Sequence, residues 1–379
     1  MAKVFIAVNT AWNAINFRAG LIYALCEAGH EVVVIAPYDV YVPRIKILGA
    51  NYSAVSLDKN GIHPGRDILL ALQFYRLLRN QRQSVFLGFT IKPNIYGSLV
   101  ANSLGIPVIN NIAGLGFVFV YDNWLCRFVR CLYRMALSRS CKVFFQNAED
   151  LQLFVSDGLV KSNVAALVPG SGIDLQHFVP VALPSNIYPI RFLLIARLLW
   201  QKGIGEFVEA ARFLRRRGVV ADFFLMGFVD DNNPASVPRA QIDDWMSEGV
   251  ISYLGTSDDV RLEISRVDCV VLPSYYREGT PRSLLEAAAM ARPIVTTDSV
   301  GCRDVVDDGI NGYLCRPKDA ADLAEKMAQI VSLSPEEREE MGLRGRAKVE
   351  RQFDEKIVVH RYLEAIEAAL DVAKATTPK

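Results

Sequence analysis

The stretch SYYREGTPRSLLEAAAM (274–290) sets two carboxylates, Glu278 and Glu286, eight positions apart. Between them the chain passes from a Gly/Pro turn into a helical pattern. Pro281 suits a first helical turn, where a missing N–H costs nothing. The N–H groups around Arg282, Ser283 and Leu284 then point outward at the positive end of a helix dipole, a natural seat for a phosphate. Gly279 lets the backbone approach a ligand closely. Glu278, on the turn, faces whatever the phosphate carries. Glu286, further into the helix, can accept hydrogen bonds from vicinal hydroxyls such as those of a ribose. Taken alone, this spacing is equally that of a solvated helix face following a charged loop.

A second stretch, IARLLWQKG (195–203), puts Arg197 just past an apolar run and Lys202 five positions on, before Gly203. A guanidinium fork and an ammonium point charge can together neutralise a diphosphate. Alone, they would read as surface cations at a helix start. Beside the acidic loop, they complete a pocket for a nucleotide that carries a sugar.

The elements that must position these groups show as an alternation. Short apolar runs at 4–8, 31–37, 84–89, 107–112, 141–147 and 164–170 are separated by helical patterns, the first around 18–28. Four prolines and two glycines in 169–189 read as a linker. The alternation restarts with runs at 191–196, 221–227, 250–255, 268–273 and 293–297, and a helix at 204–217. Apolar strands alternating with helices predict parallel sheets covered on both faces. The expected fold is α/β, two Rossmann-like doubly wound domains in tandem. The expected boundaries are 1–180, 181–352, and a tail helix at 353–379 that packs back on the first domain. In such sheets ligands bind outside the carboxyl ends of the strands, where both chemical stretches fall. The polar stretch 233–241 reads as a surface excursion.

The 379 residues, 51% hydrophobic and 22% charged with a net charge of +1, describe a globular chain. Residues 1–180 carry 16 Lys/Arg and 10 Asp/Glu, a net of +6; subtraction from 42 and 41 leaves 26 and 31, a net of −5, for the remainder. That skew suggests an anionic surface or ligand for the first half. No run of 18 or more apolar residues occurs, and MAKVFIAVN reads as a first strand rather than a signal peptide, so a cytoplasmic protein is expected. Seven cysteines without C-x-x-C read as buried or half-buried reduced thiols. Four scattered histidines and the lack of D-x-D argue against a bound metal, and no cofactor is expected.

The stretches ARLLWQKG (196–203), SYLGTSDDV (252–260), 272–290 and 292–319 resemble the nucleotide-sugar half of the family-4 retaining glycosyltransferases of GT-B fold. NTAWNAINFRAGLIYALCEAGHEVVVIAP (9–37) and KPNIYGSLVANSLGIPVINNIAGLGFVF (92–119) are similar to bacterial enzymes of that family. Those add N-acetylhexosamine, often GalNAc, to lipid-linked glycans of O-antigen, capsule or glycoprotein pathways. The resemblance implies that Arg197 and Lys202 hold the diphosphate of a UDP-sugar and Glu286 the ribose. Glu278 contacts the transferred sugar, with the backbone of Gly279, Thr280 and Pro281 close by, and Ser283 and Leu284 give N–H groups to the phosphate. The loops carrying Gly227, and Gly255 with Thr256, flank the base. It implies retention of configuration without metal.

Where many relatives carry a histidine facing the sugar, this chain has Ala113 before Gly114. That role falls to backbone, to Asn110 or Asn111, or is absent. Gly114 and Gly116 let that loop approach the donor, and Asn9, Thr10 and Asn13 line the acceptor side.

Residues 121–142 place Trp124, Leu125, Phe128, Leu132 and Met135 at helical spacing among Arg127, Arg130, Arg134, Arg139 and Lys142, and a second basic run covers 74–83. Either is an ordinary helix with a cationic outer face, or a surface for anionic lipid. The expected partners are a UDP-sugar, an undecaprenyl-diphosphate-type lipid-linked glycan and the membrane surface, with no nucleic acid. An NAD enzyme is disfavoured because 9–20 lacks G-x-G-x-x-G. A UDP-sugar epimerase of GT-B shape and a non-catalytic nucleotide-binding homologue stay open.

Overall fold

The structure, a computed structural model, describes residues 1–58, 63–81, 83–115, 124–183, 189–230 and 233–376. It divides into a first unit, residues 1–172 with 355–379, and a second, residues 173–354.

The first unit runs β1 (Lys3–Ala7), α1 (Ala11–Glu27), β2 (Glu31–Ala36), α2 (Val42–Ile47), β3 (Asn51–Ala54), α3 (Pro64–Leu78), β4 (Ser84–Phe89), α4 (Ser98–Ser103), β5 (Val108–Ile112), α5 (Trp124–Leu137), β6 (Lys142–Phe145), α6 (Ala148–Ser156) and β7 (Ala165–Leu167). The strands form one seven-stranded sheet in the order β3-β2-β1-β4-β5-β6-β7. Every pairing is parallel, as in Val4↔Val32 and Val4↔Val85. Its central strands are apolar at consecutive positions because both faces are covered. Val4, Ile6, Val34, Leu87 and Ile109 pack on one side with Leu21, Ile22 and Tyr362. Phe5, Val33, Phe86 and Val108 pack on the other with Leu70 and Phe74.

The second unit runs β8 (Ile190–Ile195), α7 (Ile204–Arg216), β9 (Ala221–Met226), α8 (Arg239–Ser247), β10 (Ser252–Tyr253), α9 (Arg261–Ser265), β11 (Cys269–Leu272), α10 (Arg282–Ala289), β12 (Ile294–Thr297), β13 (Gly312–Cys315), α11 (Ala320–Ser332) and α12 (Pro335–Gln352). Its six parallel strands are ordered β10-β9-β8-β11-β12-β13. Order reverses between β8 and β11, which makes the carboxyl ends of these two strands the switch point at which open α/β sheets bind ligands. The loops that leave them hold Arg197 and Glu278.

The boundary differs from the expected 180/181. Ile173 donates its N–H to the Phe353 carbonyl at 2.8 Å, and Ile173 and Phe178 are buried in the core of the second unit. Arg292, fully buried, donates to the carbonyls of Val181 at 2.7 Å and Ala182 at 3.1 Å. Part of the Pro-rich stretch is therefore tied to the second unit by buried hydrogen bonds. The tail helix α13 (Glu355–Thr376) belongs to the first unit, where Tyr362 lies against Phe89 and Phe144.

The stretch 233–241 is not a plain surface excursion. Val237 is fully buried and its N–H bonds the Leu198 carbonyl at 2.7 Å; Trp200 N–H bonds the Ala235 carbonyl at 2.9 Å. It braces the loop between Arg197 and Lys202. The cysteines are all free; Cys131, on α5, is exposed rather than buried or half-buried.

Candidate active site

The second unit brings the chemical residues together at its switch point. Lys202 ends a short helical turn (Trp200–Lys202), and Gly203 follows with φ of +78°. A Cβ there would stand 2.2 Å from the Pro273 carbonyl oxygen, so only glycine lets the loop after β8 lie on the end of β11. Tyr275 and Tyr276 donate their N–H groups to the Gln201 carbonyl at 3.0 and 3.2 Å, joining the two loops. The result is an ion pair between Lys202 and Glu278, whose side chains are 12% and 11% exposed. The Lys202 ammonium also lies 5.5 Å from the centre of the Tyr276 ring. Arg197 is exposed on the same loop and has no ion-pair partner among the described residues. That leaves its guanidinium available to an incoming anion.

Glu278 is held from beneath. Ser274, fully buried, has one hydroxyl proton and two acceptors in reach: a Glu278 carboxylate oxygen at 2.8 Å and the Gln201 carbonyl at 3.3 Å. The nearer is the charged one, which makes the stronger bond. The Ser274 carbonyl accepts in turn from Thr297 Oγ1 and, at 3.0 Å, from Ser299 Oγ. The end of β12 thus fixes the loop that carries Glu278. Gly301 completes the seat: with φ of +81°, its absent Cβ would lie 1.9 Å from the Gly279 carbonyl oxygen.

Helix α10 starts after Pro281, which is buried and extended at φ −64°, ψ 119°. Ser283 lies in its first turn, where N–H groups lack helical acceptors. Leu284 corrects an expectation: its N–H is already given to the Pro281 carbonyl at 3.2 Å, and its side chain is fully buried in the core. Gly279 is buried and Thr280 half-buried beside it. Glu286 accepts from Arg282 Nε at 3.1 Å. Burial raises the Glu286 carboxyl above its ordinary range, opposed by the Arg282 guanidinium. At the neighbouring strand ends, Gly227 N–H bonds the Gly255 carbonyl at 2.8 Å, and Tyr253 Oη donates to the Gly227 carbonyl at 2.7 Å. Gly227 and Gly255 thereby join the carboxyl ends of β9 and β10, with Thr256 exposed next to them.

In the first unit, Asn110 and Asn111 are fully buried in β5, and their side chains are consumed. Asn110 Nδ2 donates to Asn94 at 2.9 Å and Ser98 at 2.8 Å, and its Oδ1 accepts from Ser140 at 2.6 Å. Asn111 Nδ2 donates to Tyr362 Oη at 2.8 Å. Neither is placed to take the role of a ligand-facing histidine, because each satisfies a buried polar network instead. Thr10 caps α1, its hydroxyl accepting from the Asn13 N–H at 2.9 Å. Asn9 and Asn13 are half-buried at the same strand-to-helix junction. Gly114, with φ of +125°, lies just after β5; Gly116 lies outside the described residues.

Residues 189–332 match the family of glycosyl transferases group 1, and residues 8–147 the glycosyl transferase 4-like family. A curated relative from Campylobacter jejuni, an N,N'-diacetylbacillosaminyl-diphospho-undecaprenol alpha-1,3-N-acetylgalactosaminyltransferase, is 29% identical over 92% of this chain and 94% of its own. This chain is a glycosyltransferase of GT-B fold. An Escherichia coli UDP-Gal:alpha-D-GlcNAc-diphosphoundecaprenol alpha-1,3-galactosyltransferase is 22% identical over 67% of the glycosyltransferase and 68% of its own length. The crystal structure of Anabaena HepE in complex with UDP and glucose superposes with a TM-score of 0.79 at 14% identity, covering 97% of this glycosyltransferase and all of that chain.

Sequence reasoning missed Ser274, Thr297, Ser299, Gly301 and Tyr276. Ser274 had a signal, a hydroxyl closing the apolar run DCVVLP just before the charged loop. Thr297 and Ser299 had none, since their partner lies more than twenty residues away.

Proposed function

We propose that this glycosyltransferase moves a sugar, N-acetylgalactosamine in preference, from a UDP-sugar to a lipid-diphosphate-linked glycan with retention of configuration. The observation that carries the reaction is the pairing of Lys202 with Glu278 beside the start of α10. Departure of UDP builds negative charge on its outer phosphate. Lys202, Arg197 and the first turn of α10 are cations and N–H donors carried at the adjoining carboxyl ends of β8 and β11, and they lower the cost of that charge. They supply this stabilisation without requiring a metal. Glu278 faces the sugar hydroxyls, and Glu286 takes the ribose. An acceptor hydroxyl attacks from the face that UDP leaves, and a phosphate oxygen of the departing UDP takes its proton.

The preference for N-acetylgalactosamine rests on the name of the Campylobacter jejuni relative alone, and that for a diphospho-lipid acceptor on those of the Campylobacter jejuni and Escherichia coli relatives together. Among the described residues no helix is long and apolar enough to cross a membrane. We place the reaction at the cytoplasmic membrane face, reached by peripheral association through α5. The deciding experiment offers a panel of UDP-sugars with a lipid-diphosphate-linked sugar and determines product mass and anomeric configuration. A retained linkage with UDP-GalNAc supports the reading. Release of an epimerised UDP-sugar without acceptor would replace it.

A further inference from the structure

Helix α3 is apolar on two sides. Leu70, Phe74 and Leu78 point inward, onto Phe5, Phe86 and Val108 of the sheet. Ile68, Leu69, Leu72 and Tyr75 are 63%, 47%, 48% and 44% exposed, although one buried face is all that a helix on a sheet requires. Positions 68, 72, 75 and 79 follow one another along a single outer line, the last being Arg79. The exposed charges on and just after this helix are Arg66, Arg76 and Arg79. Its one acid, Asp67, is buried and bound to Lys92 at 2.8 Å. Arg66, at the start of the helix, is paired with Asp58 at 2.7 Å; the line from Ile68 to Arg79 is aliphatic, aromatic and cationic.

Helix α5 repeats the arrangement. Val129, Tyr133 and Leu137 point inward onto Ile112, Val143 and Phe145. Trp124, Phe128 and Met135 are exposed on the opposite line, at 78%, 49% and 55%, with Arg127, Arg134 and Arg139 exposed around them. Side chains alternate along a strand, so Val108 and Ile112 of β5 lie on the same face of the sheet. Both helices consequently cover that one face, and their outer lines look away from the same side of the first unit.

We propose that the outer sides of α3 and α5 form one surface that docks on anionic lipid, with the α3 side chains inserted among the headgroups. Exposed apolar lines of this kind mark an interaction site. A protein partner would leave Arg76 and Arg79 to be matched by carboxylates it must bring, Arg66 being paired with Asp58 within the chain. An anionic bilayer offers charge and an apolar interior together, and it takes Trp and Tyr at its boundary. The inference rests on the proposed lipid-linked acceptor for its purpose only; its geometry stands apart from the donor site.

The test is co-sedimentation with mixed phosphatidylcholine–phosphatidylglycerol vesicles, with pure phosphatidylcholine as the neutral control. The full chain binds the anionic vesicles, and added salt weakens the binding. Ile68→Gln/Leu72→Gln removes insertion without altering charge and weakens binding at least about tenfold. Arg76→Gln/Arg79→Gln costs about fivefold per arginine on the anionic vesicles alone. Phe128→Gln weakens binding as well. Circular dichroism shows all variants folded, and transfer to a short-chain, water-soluble acceptor stays at the wild-type rate while transfer to the full-length lipid in vesicles falls. Wild-type vesicle binding by the α3 variants overturns the proposal, as does a wild-type chain that ignores anionic vesicles. A dimer broken by Leu72→Gln, without vesicle binding, assigns the face to a second copy and also overturns it. Failure of the wild-type chain on the soluble acceptor strikes the proposed reaction and leaves the vesicle result standing.

Discussion

Ser274→Ala tests whether the loop after β11 presents Glu278 through a buried hydroxyl. The variant removes the 2.8 Å bond from Ser274 Oγ to the Glu278 carboxylate and the weaker 3.3 Å contact to the Gln201 carbonyl. A hydrogen bond to a charged group contributes about 1.5–3 kcal/mol. Lys202 still pairs with Glu278, so the lower end applies, about 1.5 kcal/mol, which is about tenfold in kcat. Ser274 is fully buried, so UDP affinity by calorimetry should hold while kcat falls. Replacement by Thr or by Val adds similar bulk, so the ratio of their rates reads the hydroxyl alone. Thr faster than Val by about the same tenfold supports the argument. Equal rates for the two, or a loss of UDP affinity matching the loss of rate, would refute it and leave Ser274 as packing.

Lys202→Ala and Glu278→Ala should each lower transfer by about a hundredfold or more while circular dichroism stays native, because each removes a group aimed at the reacting charge; wild-type turnover in either rejects the site. Glu286 has a folded-state acidity weakened by burial, so its proton leaves later in the fold than in the unfolded chain. Its stabilising contribution is therefore full below the ordinary glutamate range and lost as pH rises through the raised value. Glu286→Gln should accordingly raise Tm at neutral pH more than at acid pH, and remove an acid limb of UDP affinity that lies above the ordinary carboxylate range; a limb at the ordinary value, unmoved by the substitution, counts against it. Gly203→Ala, with its Cβ 2.2 Å from the Pro273 oxygen and a left-handed backbone, should cost more than about 2 kcal/mol in urea unfolding, and a cost below about 0.5 kcal/mol would show that the two loops separate freely.

The sheets were legible because consecutive apolar residues have one ready explanation, a strand covered on both faces. β3 escaped notice because NYSA is half-buried or exposed at the sheet edge and carries no apolar run. β13 escaped because Gly312 takes part in the ladder with a bare Cα where a Cβ would stand 2.2 Å from the Ile294 carbonyl, and glycine is a poor sign of a strand. The first helix begins at Ala11 rather than near 18, since Thr10 caps it; a hydroxyl before an alternating Ala/Asn/Ile stretch is a weak signal to read.

The donor-side residues were legible for a local reason. Arg197 and Lys202 sit on one loop, Glu278 and Glu286 on another, and each loop follows an apolar run whose carboxyl end must open towards a ligand. The first unit offered no such shortcut. Asn110 and Asn111 have the polarity of ligand contacts, yet period-two alternation sends them to opposite faces of β5. On one face Asn110 meets Asn94, Ser98 and Ser140; on the other Asn111 meets Tyr362, 251 positions along the chain. A buried amide must find such partners or pay for its desolvation, and here the partner arrives with the tail helix. The same bond that removes Asn111 from the site therefore fixes α13 to the sheet of the first unit. Loss of the Tyr362 hydroxyl should loosen the tail helix, leaving the Lys202–Glu278 geometry of the second unit untouched.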